Sequence, residues 1–360
     1  MYINILRHIV LIITFCCFLF IYGCEKVDNY EIFYEIDESY FEYPFDTLLD
    51  YYIISAWRIL GDTVPAYTPE MVATHTKLVG KLPWVTPTSS ANLQFVIGQT
   101  SGWPKNPEYP DDPEIPPQNI YGYQITDLDY NNPKVKVVLT AGQHSTEFPG
   151  NYALEGMVNF LAGSDPRAVF LRRKAVFYVY PDINPEGRYM AIKKINLQSA
   201  PDPNAKNDGR YRGNPELYAA GEKDHNRVWL EEFFGKFSTI DLLIAAWEKD
   251  FGNKADYLWD MHGPQPTGNW RSPSLDASTN AYAKALMRIE PELLRCGPPG
   301  EFKAYVAYSP PGKIGLYALD DQIGLHVKYP YVYEGGPWTR ERLLLSGKRL
   351  AIAFYEVLNN

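Results

Sequence analysis

Between residues 140 and 150 the chain reads "TAGQHSTEFPG", placing His144 and Glu147 three apart just beyond the apolar run "VKVVLT". An imidazole and a carboxylate so spaced can meet at one cation. Glu147 also stands just before Pro149 at a helix start, where a carboxylate serves equally well as a capping charge. A second histidine, His262 in "LWDMHGP", follows another apolar run. One histidine after a strand is more often packed than ligating. Two histidines with one carboxylate, however, are the set that leaves a zinc ion one open position for water, the mark of a catalytic rather than a structural site.

Two further segments carry suitable groups. "EKDHNRVW" supplies Asp224, Asn226 and Arg227. An Asp beside a zinc-bound imidazole can orient it through the nitrogen not on the metal, Arg227 offers a planar fork for a carboxylate, and Asn226 adds a donor. In isolation the same residues read as a salt-bridged surface loop. "YVYEGGP" leaves Glu334 at the end of an apolar run, where it either caps a helix or acts as a base toward water near a metal.

These groups need elements that bring them together, and open α/β sheets gather their sites at the carboxyl ends of strands. Strands are predicted at "LQFVIG", "IYGYQI", "VKVVLT", "AVFYVYP", "DYLWDM" and "KYPYVYE". Helices are predicted at "TLLDYYIISAWRIL", at "TPEMVATHTKLVGKL" with Thr68 as cap and Pro69 in the first turn, and at "PGNYALEGMVNFLAG", whose Ala153, Leu154, Met157, Val158 and Leu161 share one face. Further helices are predicted at "IDLLIAAWEKDF", at "STNAYAKALMRI" and from about Thr339 to the end. The prolines of "WPKNPEYPDDPEIPP" dictate a surface loop. Alternating strands and helices predict an α/β fold with helices on both faces of one sheet. No internal repeat and no linker divides residues 60 to 360.

A net charge of −9 lacks the concentrated basic surface that nucleic acid requires, so no nucleic-acid partner is expected. At the N-terminus, Arg7 and His8 precede an apolar stretch from Ile9 to Tyr22, shorter than the about 20 residues of a membrane span and suited to an export signal. The stretch ends in "IYGC", which resembles a bacterial lipobox. On that reading residues 1–23 are removed, Cys24 is lipidated, residues 24–40 form a tether and residues 41–360 form one catalytic domain. The protein is then exported and held at a bacterial membrane or cell surface through the lipid on Cys24 only. Cys16 and Cys17 leave with the signal, and Cys296 remains alone without a disulfide partner.

In order along the chain, "HSTEFP", "SDPRAVFLRR", "NPEGRY", "DHNRVW", "DMHG" and "VYEGG" resemble the signatures of the zinc carboxypeptidases, nearest the cytosolic-carboxypeptidase type. The resemblance runs from about Val96 to the C-terminus and implies a three-layer α/β/α domain around a central mixed sheet. It also implies one zinc per chain held by His144, Glu147 and His262, with Asp224 orienting His144. Asn226 and Arg227 would grip the terminal carboxylate of a peptide with a free C-terminus. Arg212, with Arg210 as second choice, would polarise the scissile carbonyl, and Tyr308 would cover the substrate. Glu334 would activate the zinc-bound water and return its proton to the leaving amine.

Three features depart from the family pattern: Thr146 stands where some members carry Arg, Glu186 replaces the Asp of an Asn-Pro-Asp-Gly turn, and the spacer between Arg212 and Asn226 is long. The replacement by Glu186 is expected to be tolerable if the residue only shapes its turn. The alternatives are a zinc-dependent deacylase of N-acyl amino acids on the same scaffold and a surface binding lipoprotein without activity. A serine hydrolase is disfavoured by the lack of a Gly-x-Ser-x-Gly elbow.

Overall fold

The structure is a computed structural model that describes residues 67–104, 114–130, 134–144, 147–190, 225, 229, 235–252, 254–263, 269–271, 281–290, 326–334 and 339–360. The expected signal, Cys24, the expected tether, the helix expected at "TLLDYYIISAWRIL", most of the proline-rich loop and Cys296 lie outside these residues. Among the described residues no helix is long and apolar enough to cross a membrane.

The described strands are β1 (Val85–Pro87), β2 (Val96–Gln99), β3 (Asn119–Tyr121), β4 (Tyr123–Ile125), β5 (Val135–Ala141), β6 (Ala175–Tyr180), β7 (Lys254–His262), β8 (Asn269–Arg271) and β9 (His326–Glu334). Seven of them form one mixed sheet in the order β1-β4-β6-β5-β7-β9-β8, and β2 pairs with β3 apart from it. At its centre β6, β5, β7 and β9 run parallel; at the flanks β4 pairs antiparallel with β6, β1 antiparallel with β4, and β8 antiparallel with β9. The run "IYGYQI", expected as one strand, breaks at Gly122. The chain pairs with β2 before the glycine and with β1 and β6 after it.

The helices are α1 (Pro69–Val79), α2 (Phe148–Ala162), α3 (Pro166–Lys174), α4 (Ser238–Phe251), α5 (Ala281–Ile289) and α6 (Arg340–Asn359). Thr68 caps α1 by accepting a hydrogen bond from Met71 N at 3.2 Å, and Thr339 caps α6 through Arg342 N at 3.3 Å. The central strands are apolar on both faces, as a sheet covered on both sides requires. Val137, Leu139, Phe177, Val179, Trp259 and Met261 pack toward α2, α3, α5 and α6. Their neighbours Val138, Tyr178, Tyr180 and Leu258 pack toward α4, where they meet Leu243, Trp247 and Phe251. This alternation produces the three layers expected from the sequence.

Helix α2 is buried along its whole length and not only along its apolar face. Its last carbonyls are satisfied from outside the helix: Arg172 of α3 donates to Leu161 O and Gly163 O, and Trp84 Nε1 donates to Ala162 O at 3.0 Å. The Arg172 guanidinium also lies over the Trp84 ring, 4.2 Å from its centroid. Helix α3 was not expected from the sequence. It is short and strongly basic, and its Asp165 cap identifies it only once the chain turns there.

Candidate metal centre

Strands β5, β7 and β9 end side by side, with Ala141 in register with Met261 and His262 in register with Glu334. His262 is thus the last residue of β7, and His144 follows β5 by three positions. Helix α2 starts at the same edge. A Cβ built on Gly150 would lie 2.3 Å from Met261 O, so the absence of a side chain lets the first turn of α2 press against the end of β7. That approach brings Glu147, the residue before the helix, to His262.

Glu147 is the N-cap residue of α2, yet its side chain makes no capping hydrogen bond. Its carboxylate turns to the histidines instead, with Oε1 2.8 Å from His144 Nδ1 and Oε2 2.7 Å from His262 Nδ1. Gly263 N donates to Oε2 at 3.3 Å. The two imidazole rings lie 5.0 Å apart at 70°. Ligand atoms from all three residues fall within 4.8 Å of one another. Two imidazole nitrogens and one carboxylate oxygen at this spacing fit a zinc ion bound at about 2 Å from each, once the donors open slightly around it.

The second nitrogen of His262 is also held. Nε2 lies 2.7 Å from Asp260 Oδ2, and Thr140 Oγ1 donates to Asp260 Oδ1 at 3.1 Å. Asp260 is fully buried. A carboxylate at Nε2 fixes the tautomer and leaves Nδ1 as the ligand atom. No role for Asp260 is expected from the sequence. Its signal was present all the same, because residues two apart in a strand share a face.

The charges are strongly coupled. Burial pushes the Glu147 carboxyl up, but His144 and His262 outweigh burial and hold it well below the ordinary carboxylate range. Burial pulls the His262 imidazole down, but Asp260 and then Glu147 outweigh it and hold it well above the ordinary histidine range. The pocket therefore favours one positive charge between two carboxylates, a place for which proton and divalent cation compete.

Of the other expected site residues, Asp224, Asn226, Arg227, Arg210, Arg212 and Tyr308 lie outside the described residues, as does the departure at Thr146. Glu334 is placed by its backbone, at the end of β9 beside His262. His225, within the "DHNRVW" segment, is fully buried and meets Trp229 edge-on at 5.7 Å, and Trp229 stacks on Trp247 of α4 at 5.3 Å. Glu186 does more than shape a turn: it is fully buried, and its Oε1 accepts from Gly102 N at 2.7 Å, tying the start of the proline-rich loop to the 182–188 segment.

A family model described as zinc carboxypeptidase matches residues 117–307. A cytosolic carboxypeptidase 6 from Caenorhabditis elegans is 31% identical over 68 residues, which make up 19% of this chain and 15% of that protein. The human cytosolic carboxypeptidase 6 is 35% identical over 63 residues, 17% of this chain and 12% of the relative. The matched stretch therefore spans a small part of these relatives' length. Among solved structures, a metallo-carboxypeptidase from Burkholderia cenocepacia superposes with a TM-score of 0.55 at 18% identity, covering 82% of this chain and 70% of that one. Thrombin activatable fibrinolysis inhibitor superposes with a TM-score of 0.51 at 14% identity, covering 82% and 76%. At such identities the likeness is one of fold.

Proposed function

Because the chain belongs to the zinc carboxypeptidase family, we propose that it is a zinc-dependent metallocarboxypeptidase that removes C-terminal residues from peptides. The observation that carries this reading is the convergence of His144, Glu147 and His262 at the carboxyl ends of β5 and β7, beside the end of β9. The three residues would hold one zinc ion per chain. When bound, zinc polarises a carbonyl oxygen and brings the pKa of water down to about 7, which makes a nucleophile available at neutral pH.

The protein's own groups would do the rest. Glu334, at the register position next to His262, takes the proton from the attacking water and passes it to the leaving amine. A carboxylate is a base suited to this task. Asn226 and Arg227 receive the substrate's terminal carboxylate. Arg227 confers selectivity because a substrate without that carboxylate would leave a guanidinium unpaired in the pocket. Arg212, or Arg210 after it, steadies the developing oxyanion, and Tyr308 closes over the substrate. Asp260 keeps His262 in its ligating tautomer, and Asp224 does the same for His144. The "IYGC" motif supports export, with Cys24 as the lipid anchor.

The decisive experiment compares the zinc-loaded protein with Glu334→Gln on short peptides, monitored by mass spectrometry. Wild type is expected to release the C-terminal residue, while Glu334→Gln retains about one zinc per chain and loses turnover. Full activity in the variant would remove Glu334 from its role. Hydrolysis of N-acyl amino acids with no action on peptides would replace the peptidase reading by the deacylase one, and zinc binding with neither activity would leave a binding protein.

A further inference from the structure

His144 and Glu147 both sit in the turn between β5 and α2, and one buried arginine ties together the two flanks of that turn. Arg188 is fully buried. Its Nε donates to Asp182 Oδ2 at 2.6 Å, its Nη2 to Asn151 Oδ1 at 2.8 Å and its Nη1 to Tyr67 O at 3.2 Å. Its guanidinium carbon lies 5.5 Å from the centre of the Phe148 ring.

On the entry side, Gly142 has φ of +80°, a left-handed conformation that glycine adopts without steric cost. A Cβ there would fall 2.2 Å from Asp182 Oδ1 and 2.8 Å from Arg188 Nη2, so the backbone rests directly on the ion pair. Next along, the carbonyl of Gln143 accepts from Asn184 Nδ2 at 3.3 Å. On the exit side, Phe148 and Asn151 open helix α2, and Asn151 Nδ2 also donates to Pro181 O at 2.9 Å. The "PDINPEGR" segment therefore grips the backbone immediately before His144 and the helix turn immediately after Glu147.

We propose that Arg188 is a positioning residue for the metal centre, holding His144 and Glu147 at ligating separation by bracing both flanks of the turn that carries them. The inference rests on the zinc-site reading above. Arginine suits the task because its planar fork bonds three elements at once, where the ammonium of lysine is a single point on a flexible stem.

The test is the zinc dissociation constant of the metal-free full chain, measured by competition with a chelating dye, with the thermal midpoint of the same metal-free sample beside it. Arg188→Lys is expected to weaken zinc binding by about tenfold to a hundredfold, the range seen when groups that orient metal ligands are replaced. Arg172→Lys is the control. It alters an equally interior arginine that caps the opposite end of the same helix. It is expected to lower the thermal midpoint while leaving the zinc constant within about twofold.

Should Arg188→Lys fail to fold, Asn151→Ala, which cuts the Arg188 and Pro181 bonds but leaves the Asp182 pair, is expected to weaken zinc binding in the same direction. Unchanged zinc affinity in the Arg188 or Asn151 variant, or an equal loss in Arg172→Lys, overturns the positioning role. Failure of wild type to bind zinc at all overturns the metal reading itself.

Discussion

At His262 two carboxylates compete for one imidazole, and they do different jobs. Asp260, buried behind the ring, fixes Nε2, whereas Glu147, at the front, shares the space into which Nδ1 points. Replacing Asp260 by Asn keeps the volume but removes the charge that sets the tautomer. Asp260→Asn is therefore expected to weaken zinc binding by about tenfold to a hundredfold, with little change in far-ultraviolet circular dichroism. An isothermal titration giving the wild-type constant would show that Asp260 supports the strand and not the ligand. The candidate ligands themselves were readable from the sequence, because each follows an apolar run and strand ends are where such sheets gather chemistry. For Glu147 the local pattern fitted a helix cap as well as a ligand, and the resemblance to the zinc carboxypeptidases supplied the ligand role. Only the approach of α2 to Met261 turned the carboxylate toward the histidines.

Among the elements, α3 shows how local chemistry stabilises a helix start. Asp165 accepts from Arg167 N at 2.9 Å as helix cap and from Arg167 Nη2 at 2.7 Å as ion-pair partner. Its carboxyl is held below the ordinary range, first by the Arg167 side-chain hydrogen bond. A depressed folded-state value means that this group's stabilisation is fully present above the unfolded-state value of about 4 and is lost as pH falls through the folded-state value. Asp165→Ala is thus expected to cost about 1 kcal/mol at neutral pH, most of it from the cap, because the exposed ion pair contributes little. The gap should close as pH drops below about 4. Urea unfolding of both proteins at several pH values checks this, and a gap that is constant with pH would assign the effect to helix propensity alone.

At the scale of the whole molecule, metal and fold are linked. The three ligands come from the turn after β5, the start of α2 and the end of β7, so an ion bound by them joins two strands and a helix. Free zinc at a hundredfold excess over its dissociation constant should stabilise the native state by about 2.7 kcal/mol. Chelation is expected to lower the thermal midpoint by several degrees and to abolish peptide hydrolysis, both restored by zinc. A scanning-calorimetry midpoint indifferent to chelator would separate the site from the fold. The alternating order of strands and helices was legible in the sequence, because period and punctuation are local properties, and so was the apolar character of the buried runs. What the sequence determined by itself was the chemistry on offer: two histidines and acids at strand ends, and capped helices between them. Tertiary structure alone decided that α2 is buried on every side and that "IYGYQI" divides between two sheets, and it turned Glu147 away from its own helix to the histidines that the family resemblance had paired with it. Those outcomes depend on which distant backbone comes within a few ångströms, and no run of neighbouring residues encodes that distance.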